Sequence, residues 1–227
     1  MLIIFDLDDT LIDTSGCLTP LKLEDALREM VAAGLRVPDE KEALDLLKRI
    51  DQVSLSGSES LAEFLEILGA DPSLLEIGKK ELYGSLPADA TLFPLEGATE
   101  LLTQLAQDHQ LALVTAGKPV LQMEKLKKAG IDTGFFSKIL VSEGNNKKFS
   151  YQGVVEELGY SSNEVLVCGD RIKVDLTPAK DLGFKTVHMR WGRGLNSQSR
   201  KSEVDFQIKT LKELKDIVTQ LITFSSF

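Results

Sequence analysis

Five short apolar runs punctuate the chain, and each stops at small or polar residues. Leu2 to Phe5 precedes Asp6, and Gln110 to Val114 precedes Thr115-Ala116-Gly117. Lys138 to Val141 precedes Ser142-Glu143-Gly144, Val165 to Cys168 precedes Gly169-Asp170, and Thr186 to Met189 precedes Arg190-Trp191-Gly192. Near-continuous apolar runs fit strands buried on both faces, as in a parallel sheet lying between helices. Helical spacing fills the intervals. Gly97 to Gln107 places Leu101, Leu102 and Leu105 on one face, Val120 to Ala129 stops at Gly130, and Ser150 to Leu158 stops at Gly159. Glycine just past a helix end suits the left-handed C-terminal cap. Thr177-Pro178 reads as an N-cap followed by proline at the first position of a short helix that ends at Gly183. Thr210 with Glu213 reads as a capping box opening the last helix.

Strand and helix alternating at this spacing predict an α/β core: a Rossmann-like, doubly wound, mainly parallel sheet. Such sheets bind ligands beyond the carboxyl ends of their strands, where the polar clusters fall. Residues 14–92 break the rhythm, with helical periodicity and no convincing strand. Helices are predicted over Pro20 to Ala33, Asp39 to Ile50, Glu59 to Leu68 and Pro72 to Ser85, with Ser56-Gly57-Ser58 as punctuation. The expected organisation is a core of residues 1–13 and 93–227, with an all-helical insert over 14–92 placed after the first strand.

Composition narrows the partners. The 227 residues carry 35 acidic and 26 basic side chains, a formal net charge of -9. A surface of that sign is repelled by nucleic acid and by anionic membranes, so neither is expected as a partner. Two cysteines, Cys17 and Cys168, make no disulfide framework and no zinc spacing. The N-terminal apolar run meets Asp6 too soon for a signal peptide or a membrane span, and a cytoplasmic location is expected.

The chemistry concentrates at strand ends. Asp6 and Asp8, two residues apart, suit either a hard cation or a division of labour between nucleophile and acid/base. Phe5-Asp6-Leu7-Asp8-Asp9-Thr10-Leu11 resembles the first motif of the haloacid dehalogenase-like hydrolase superfamily. Leu113-Val114-Thr115 resembles its second motif, although Ala116 stands where many relatives carry Asn. Lys147, with Lys148 as second choice, resembles its third-motif lysine, in a loop that includes Asn145 and Asn146. Gly169-Asp170-Arg171-Ile172-Lys173-Val174-Asp175 resembles its acidic fourth motif. The insert resembles the family's helical cap of the first type.

The resemblance implies a Mg²⁺-dependent phosphatase of small phosphate monoesters: nucleotides, sugar phosphates or phosphoglycolate-like acids. Asp6 would form the phospho-aspartyl intermediate, and Asp8 would serve as general acid and then base. Mg²⁺ would be held by Asp6, the backbone carbonyl of Asp8, and Asp170, with Asp175 acting directly or through water. Thr115, with the backbone N–H groups from Ala116 onward, would grip phosphate, and the lysine would neutralise charge. An acid role predicts a raised pKa for Asp8. A phosphomutase and a non-catalytic phosphate-binding module are the alternatives, and a monomer or homodimer is expected. Cys168 reads as a buried structural thiol, Asp9 and Asp13 as turn acids, His109 and His188 as isolated, and Arg190 to Arg193 as a surface loop.

Overall fold

The structure is a computed structural model that describes residues 1–142, 144, 146–197 and 203–224; Glu143 and Asn145, in two of the segments singled out above, lie outside the described residues. The elements run β1 (Leu2–Phe5), α1 (Thr14–Cys17), α2 (Thr19–Ala32), α3 (Glu40–Asp51), α4 (Gly57–Ile67), α5 (Leu74–Leu82), α6 (Ala98–Asp108), β2 (Gln110–Ala116), α7 (Pro119–Lys128), β3 (Lys138–Ser142), α8 (Lys148–Leu158), β4 (Val165–Gly169), α9 (Thr177–Lys180), β5 (Lys185–Met189), β6 (Phe206–Ile208) and α10 (Lys212–Phe224). The chain divides into two compact units, one of Met1–Thr14 with Leu92–Phe227 and one of Ser15–Thr91. No helix of the described residues is long and apolar enough to cross a membrane.

The first unit is a six-stranded sheet in the order β3-β2-β1-β4-β5-β6, parallel at every pairing. β1 lies inside it, with Ile4 opposite Ala112 on one side and Val167 on the other. Alternate residues Leu2, Ile4, Ala112, Val114, Val165 and Val167 join Tyr151 and Val154 of α8 in one buried cluster. The residues between them, Ile3, Phe5, Leu111 and Leu113, are buried as well. Burial of both faces is why these strands show no alternation.

Two readings of this unit need correction. Thr177 is not an N-cap: a π-helical turn over Ile172–Leu176 runs directly into α9, so Thr177 already lies inside the helix. β6 went unrecognised because three edge residues give no usable period. It is fastened instead by Asp205, whose Oδ2 accepts from the Thr186 backbone N–H at 2.9 Å and from Thr186 Oγ1 at 3.0 Å. Lys180 Nζ reaches both Asp205 oxygens at 3.0 Å. At the last helix, Glu213 Oε1 accepts from the Thr210 N–H at 2.8 Å.

The second unit packs α2 to α5 around their own core. Leu23, Ala26, Leu27 and Met30 of α2 recur at helical spacing and meet Leu47, Ile50, Leu61, Phe64 and Leu74. Asp39 and Ser56 cap α3 and α4 by accepting from Glu42 N and Glu59 N. Gly57, read as punctuation, is therefore the first residue of α4.

Burial alone would raise the Asp205 carboxyl, but the bonds from Lys180 and Thr186 outweigh it and hold the group below its ordinary value. A depressed carboxyl contributes stability that is present above the unfolded pKa and lost as pH falls through the folded one. Asp205→Ala is expected to cost about 2 kcal/mol in urea denaturation at neutral pH, from the hydrogen bonds removed. That difference should shrink as the pH falls below the ordinary aspartate pKa of about 3.9.

Candidate active site

β1 ends at Phe5, so Asp6 is the first residue past the carboxyl edge of an interior strand. Its N–H still donates to the Cys168 carbonyl at 3.0 Å, which continues the ladder to β4 for one more residue. The chain then coils: the Leu7 carbonyl accepts from the N–H groups of Leu11 at 2.9 Å and Ile12 at 3.1 Å. Asp9 makes the turn possible with φ +57°, a conformation that a short polar side chain tolerates better than most.

This edge gathers a buried charged cluster. Lys147 Nζ, fully buried, sits 2.7 Å from Asp6 Oδ1 and 2.6 Å from Asp175 Oδ1. Lys148 points elsewhere, its Nζ 3.7 Å from Asp181 and part-exposed. Asp6, Asp170 and Asp175 each offer an oxygen, all within 4.8 Å of one another. Asp6 Oδ2 and Asp170 Oδ1 are buried with no hydrogen-bond partner among the described residues. Burial pushes the Asp6 carboxyl up against the opposing pull of Lys147, and burial with Asp175 beside it pushes Asp170 well above the usual range. Burial opposes the charge on Lys147, yet Asp175 and Asp6 more than compensate and raise its pKa. Three carboxylates thus converge with too little positive charge and two unused oxygens. That is an all-oxygen site with the charge deficit a hard divalent cation fills.

The fourth-motif segment reaches the cluster by a tight fold. A Cβ on Gly169 would lie 2.6 Å from Asp175 Cβ, so glycine is required where the π-helical turn returns against β4. The Arg171 N–H donates to Asp175 Oδ2 at 2.9 Å, fixing that carboxylate. His188 on β5, fully buried, places Nε2 at 2.9 Å from the Asp170 carbonyl oxygen. Gly194 lies against the same carbonyl, since a Cβ there would approach it to 2.8 Å. His188 and the loop after β5 therefore support the acidic segment, a role hidden in sequence because neither carries a recognisable spacing. Cys168 is buried; burial first, then the neighbouring Asp175, Asp6 and Asp170, push its thiol up.

Asp8 faces a different set of partners. Lys125 Nζ lies 2.8 Å from each of its carboxylate oxygens, Thr14 Oγ1 donates to Oδ1 at 2.6 Å, and Gln122 Nε2 donates to Oδ2 at 3.0 Å. Burial alone would raise this carboxyl, but the Lys125 charge and the hydrogen bonds from Gln122, Lys125 and Thr14 hold it well below the carboxylate range. The expected upward shift is therefore overturned, because a cation from 117 residues further along the chain folds onto Asp8. Thr115, buried in β2, accepts from the same Gln122 nitrogen at 2.7 Å, and the Ala116 carbonyl oxygen lies 3.1 Å from it. Thr115 and Ala116 belong to the strand rather than to the loop after it. Gln122 and Lys125 went unnoticed in the sequence, where polar residues on an amphipathic helix look like a solvated face.

A parallel α/β sheet with an acid–lysine cluster past the carboxyl edge of an interior strand defines a class of hydrolase. The chain belongs to the haloacid dehalogenase-like hydrolase family, which residues 1–183 match. A glyceraldehyde 3-phosphate phosphatase of Methanocaldococcus jannaschii is 31% identical, over 96% of this chain and 97% of that protein. Among solved structures, a predicted phosphoglycolate phosphatase from Haemophilus somnus matches with a TM-score of 0.74 at 21% identity, covering 96% of this chain and 97% of that one. A HAD hydrolase from Bacillus subtilis, bound to magnesium, matches with a TM-score of 0.64 at 20% identity, covering 95% and 97%.

The raised carboxyls have a measurable consequence. A carboxyl raised on folding contributes stability that is full below the unfolded pKa and is lost as pH rises through the folded one. In chelating buffer at about pH 8, Asp170→Asn is expected to stabilise the protein by about 1–2 kcal/mol, because a buried, under-compensated charge is removed. Urea denaturation of wild type and variant across pH checks this, and the gain should diminish as the solution is acidified.

Proposed function

We propose that this hydrolase is a Mg²⁺-dependent phosphatase of small phosphate monoesters, with Asp6 as nucleophile and Asp8 as acid/base. The observation that carries the reading is Asp6 itself. One carboxylate oxygen is fixed by Lys147 at 2.7 Å, while the other is buried without a hydrogen-bond partner beside Asp170 and Asp175. A carboxylate held at one oxygen is oriented for in-line attack on phosphorus.

In this reading an Asp6 oxygen bonds to phosphorus as the ester P–O bond breaks, and the departing oxygen takes a proton from Asp8. Water then attacks the phospho-aspartate and gives its proton to Asp8, and Asp6 is released. Beside Lys125, Asp8 is ionised, the form needed for the second step. The first step needs a proton on Asp8, and the monoanionic form of a phosphate monoester carries one in. Lys147 offsets charge on Asp6 and on the phosphoryl oxygens, and Thr115 with the backbone from Ala116 receives the phosphate. Asp6, Asp170 and Asp175, with the Asp8 carbonyl, would hold Mg²⁺, which supplies charge neutralisation between an anionic nucleophile and an anionic ester.

The name of the M. jannaschii relative makes glyceraldehyde 3-phosphate the first substrate to test, and the Ser15–Thr91 unit is assigned as the cap that selects among such esters. Phosphate release from glyceraldehyde 3-phosphate and a panel of phosphate monoesters is expected to require Mg²⁺ and to stop with chelator. Asp6→Asn should lower it by at least about a thousandfold, well within the roughly 10⁶ lost when a nucleophile is removed from another hydrolase. Equal release by wild type and Asp6→Asn would sink the reading.

A further inference from the structure

We infer that Gln122 and Lys125, two side chains of α7, are positioning residues that hold Asp8 in register with the Thr115 end of β2; this rests on the phosphatase reading above. The two are three residues apart, so they project from one face of the helix. Gln122 is 2% exposed, and its amide nitrogen lies within hydrogen-bond distance of Asp8 Oδ2, Thr115 Oγ1 and the Ala116 carbonyl. The ionised carboxylate and the carbonyl only accept, so the nitrogen rather than the oxygen of the amide must face them. One buried atom thereby ties the first-motif carboxylate to the second-motif hydroxyl.

Lys125 completes the arrangement. Its ammonium is equidistant from the two Asp8 oxygens, at 2.8 Å, which fixes the plane of the carboxylate as well as its position. With Thr14 on Oδ1 and Gln122 on Oδ2, each oxygen has two donors. A solvated turn acid needs no such set, and a glutamine that merely satisfied the Ala116 carbonyl would not have to reach Asp8.

The function of this hold follows from the bond that breaks. As the Asp6 oxygen bonds to phosphorus, the electron pair of the ester P–O bond goes to the leaving oxygen. An alkoxide needs the Asp8 proton at that moment, whereas a nitrophenolate departs with the electron pair and no proton. Loss of the Lys125 charge would ease protonation of Asp8, but a misplaced acid cannot reach the leaving oxygen, so misplacing Asp8 penalises alkyl esters selectively. A fault in folding or phosphate binding penalises both kinds alike.

The test compares kcat/KM, which covers the steps up to release of the alcohol, for the best alkyl ester of the panel and for p-nitrophenyl phosphate. Wild type, Gln122→Leu, Lys125→Met, Lys125→Arg, Asp8→Asn and Asp6→Asn would be assayed with Mg²⁺. The alkyl-to-aryl ratio is expected to fall about tenfold in Gln122→Leu and Lys125→Met, a fraction of the 10²–10⁴ attributed to general acid–base catalysis, and Lys125→Arg should restore most of it. Asp8→Asn sets the lower limit of the ratio. An unchanged ratio, with both rates reduced alike, would overturn the inference. Should Gln122→Leu fail to fold, the part-exposed Lys125 pair decides the matter alone. Activity surviving in Asp6→Asn would instead overturn the underlying phosphatase reading, which keeps the two failures distinct.

Discussion

One ammonium group, Lys147 Nζ, holds the charged edge of the sheet together. It bridges Asp6, at the end of β1, and Asp175, in the π-helical turn after β4, from a backbone position just ahead of α8. Without it, buried carboxylates would face one another in a low-dielectric interior, where unpaired charge is costly. With it, Asp6 is fixed at one oxygen and left available at the other. The same group thus allows the acids to be buried and gives the first of them a direction.

Asp6 and Asp8 lie two residues apart yet occupy different electrostatic environments. Asp6 is buried among other acids, and burial above all raises its pKa against the pull of Lys147. Asp8 is turned to α7, where Lys125 and Gln122, joined by Thr14 of α1, keep it ionised. Separate environments for neighbouring carboxyls are a recurrent way of giving them separate tasks. The coil after β1 produces the separation, with Asp9 in the left-handed region.

The parallel core was legible in sequence because its strands are buried on both faces and each ends abruptly in polar residues. The acids and lysine of the candidate site were legible through the resemblance of the segments around them to the family's four motifs. What stayed hidden depends on tertiary approach. Lys125 is an ordinary helix lysine until α7 folds against the first-motif coil, and Gln122 gives no signal at all. The three residues of β6 rely on Asp205 rather than on periodicity, and Thr177 could not be recognised as interior because a π-helical turn carries no sequence period of its own.

The interior place of β1 also bears on how the chain is made. Its two neighbours in the sheet, β2 and β4, are synthesised far later, and Lys147 and Asp175 lie 141 and 169 residues beyond Asp6. The helical unit over Ser15–Thr91 has its own core and contacts close in sequence, so it can fold while the first strand still waits for partners. On the ribosome Leu2 to Phe5 is an unpaired apolar segment until β2 has emerged. Its shortness, four residues closed by Asp6, limits how well it can template pairing with another nascent chain.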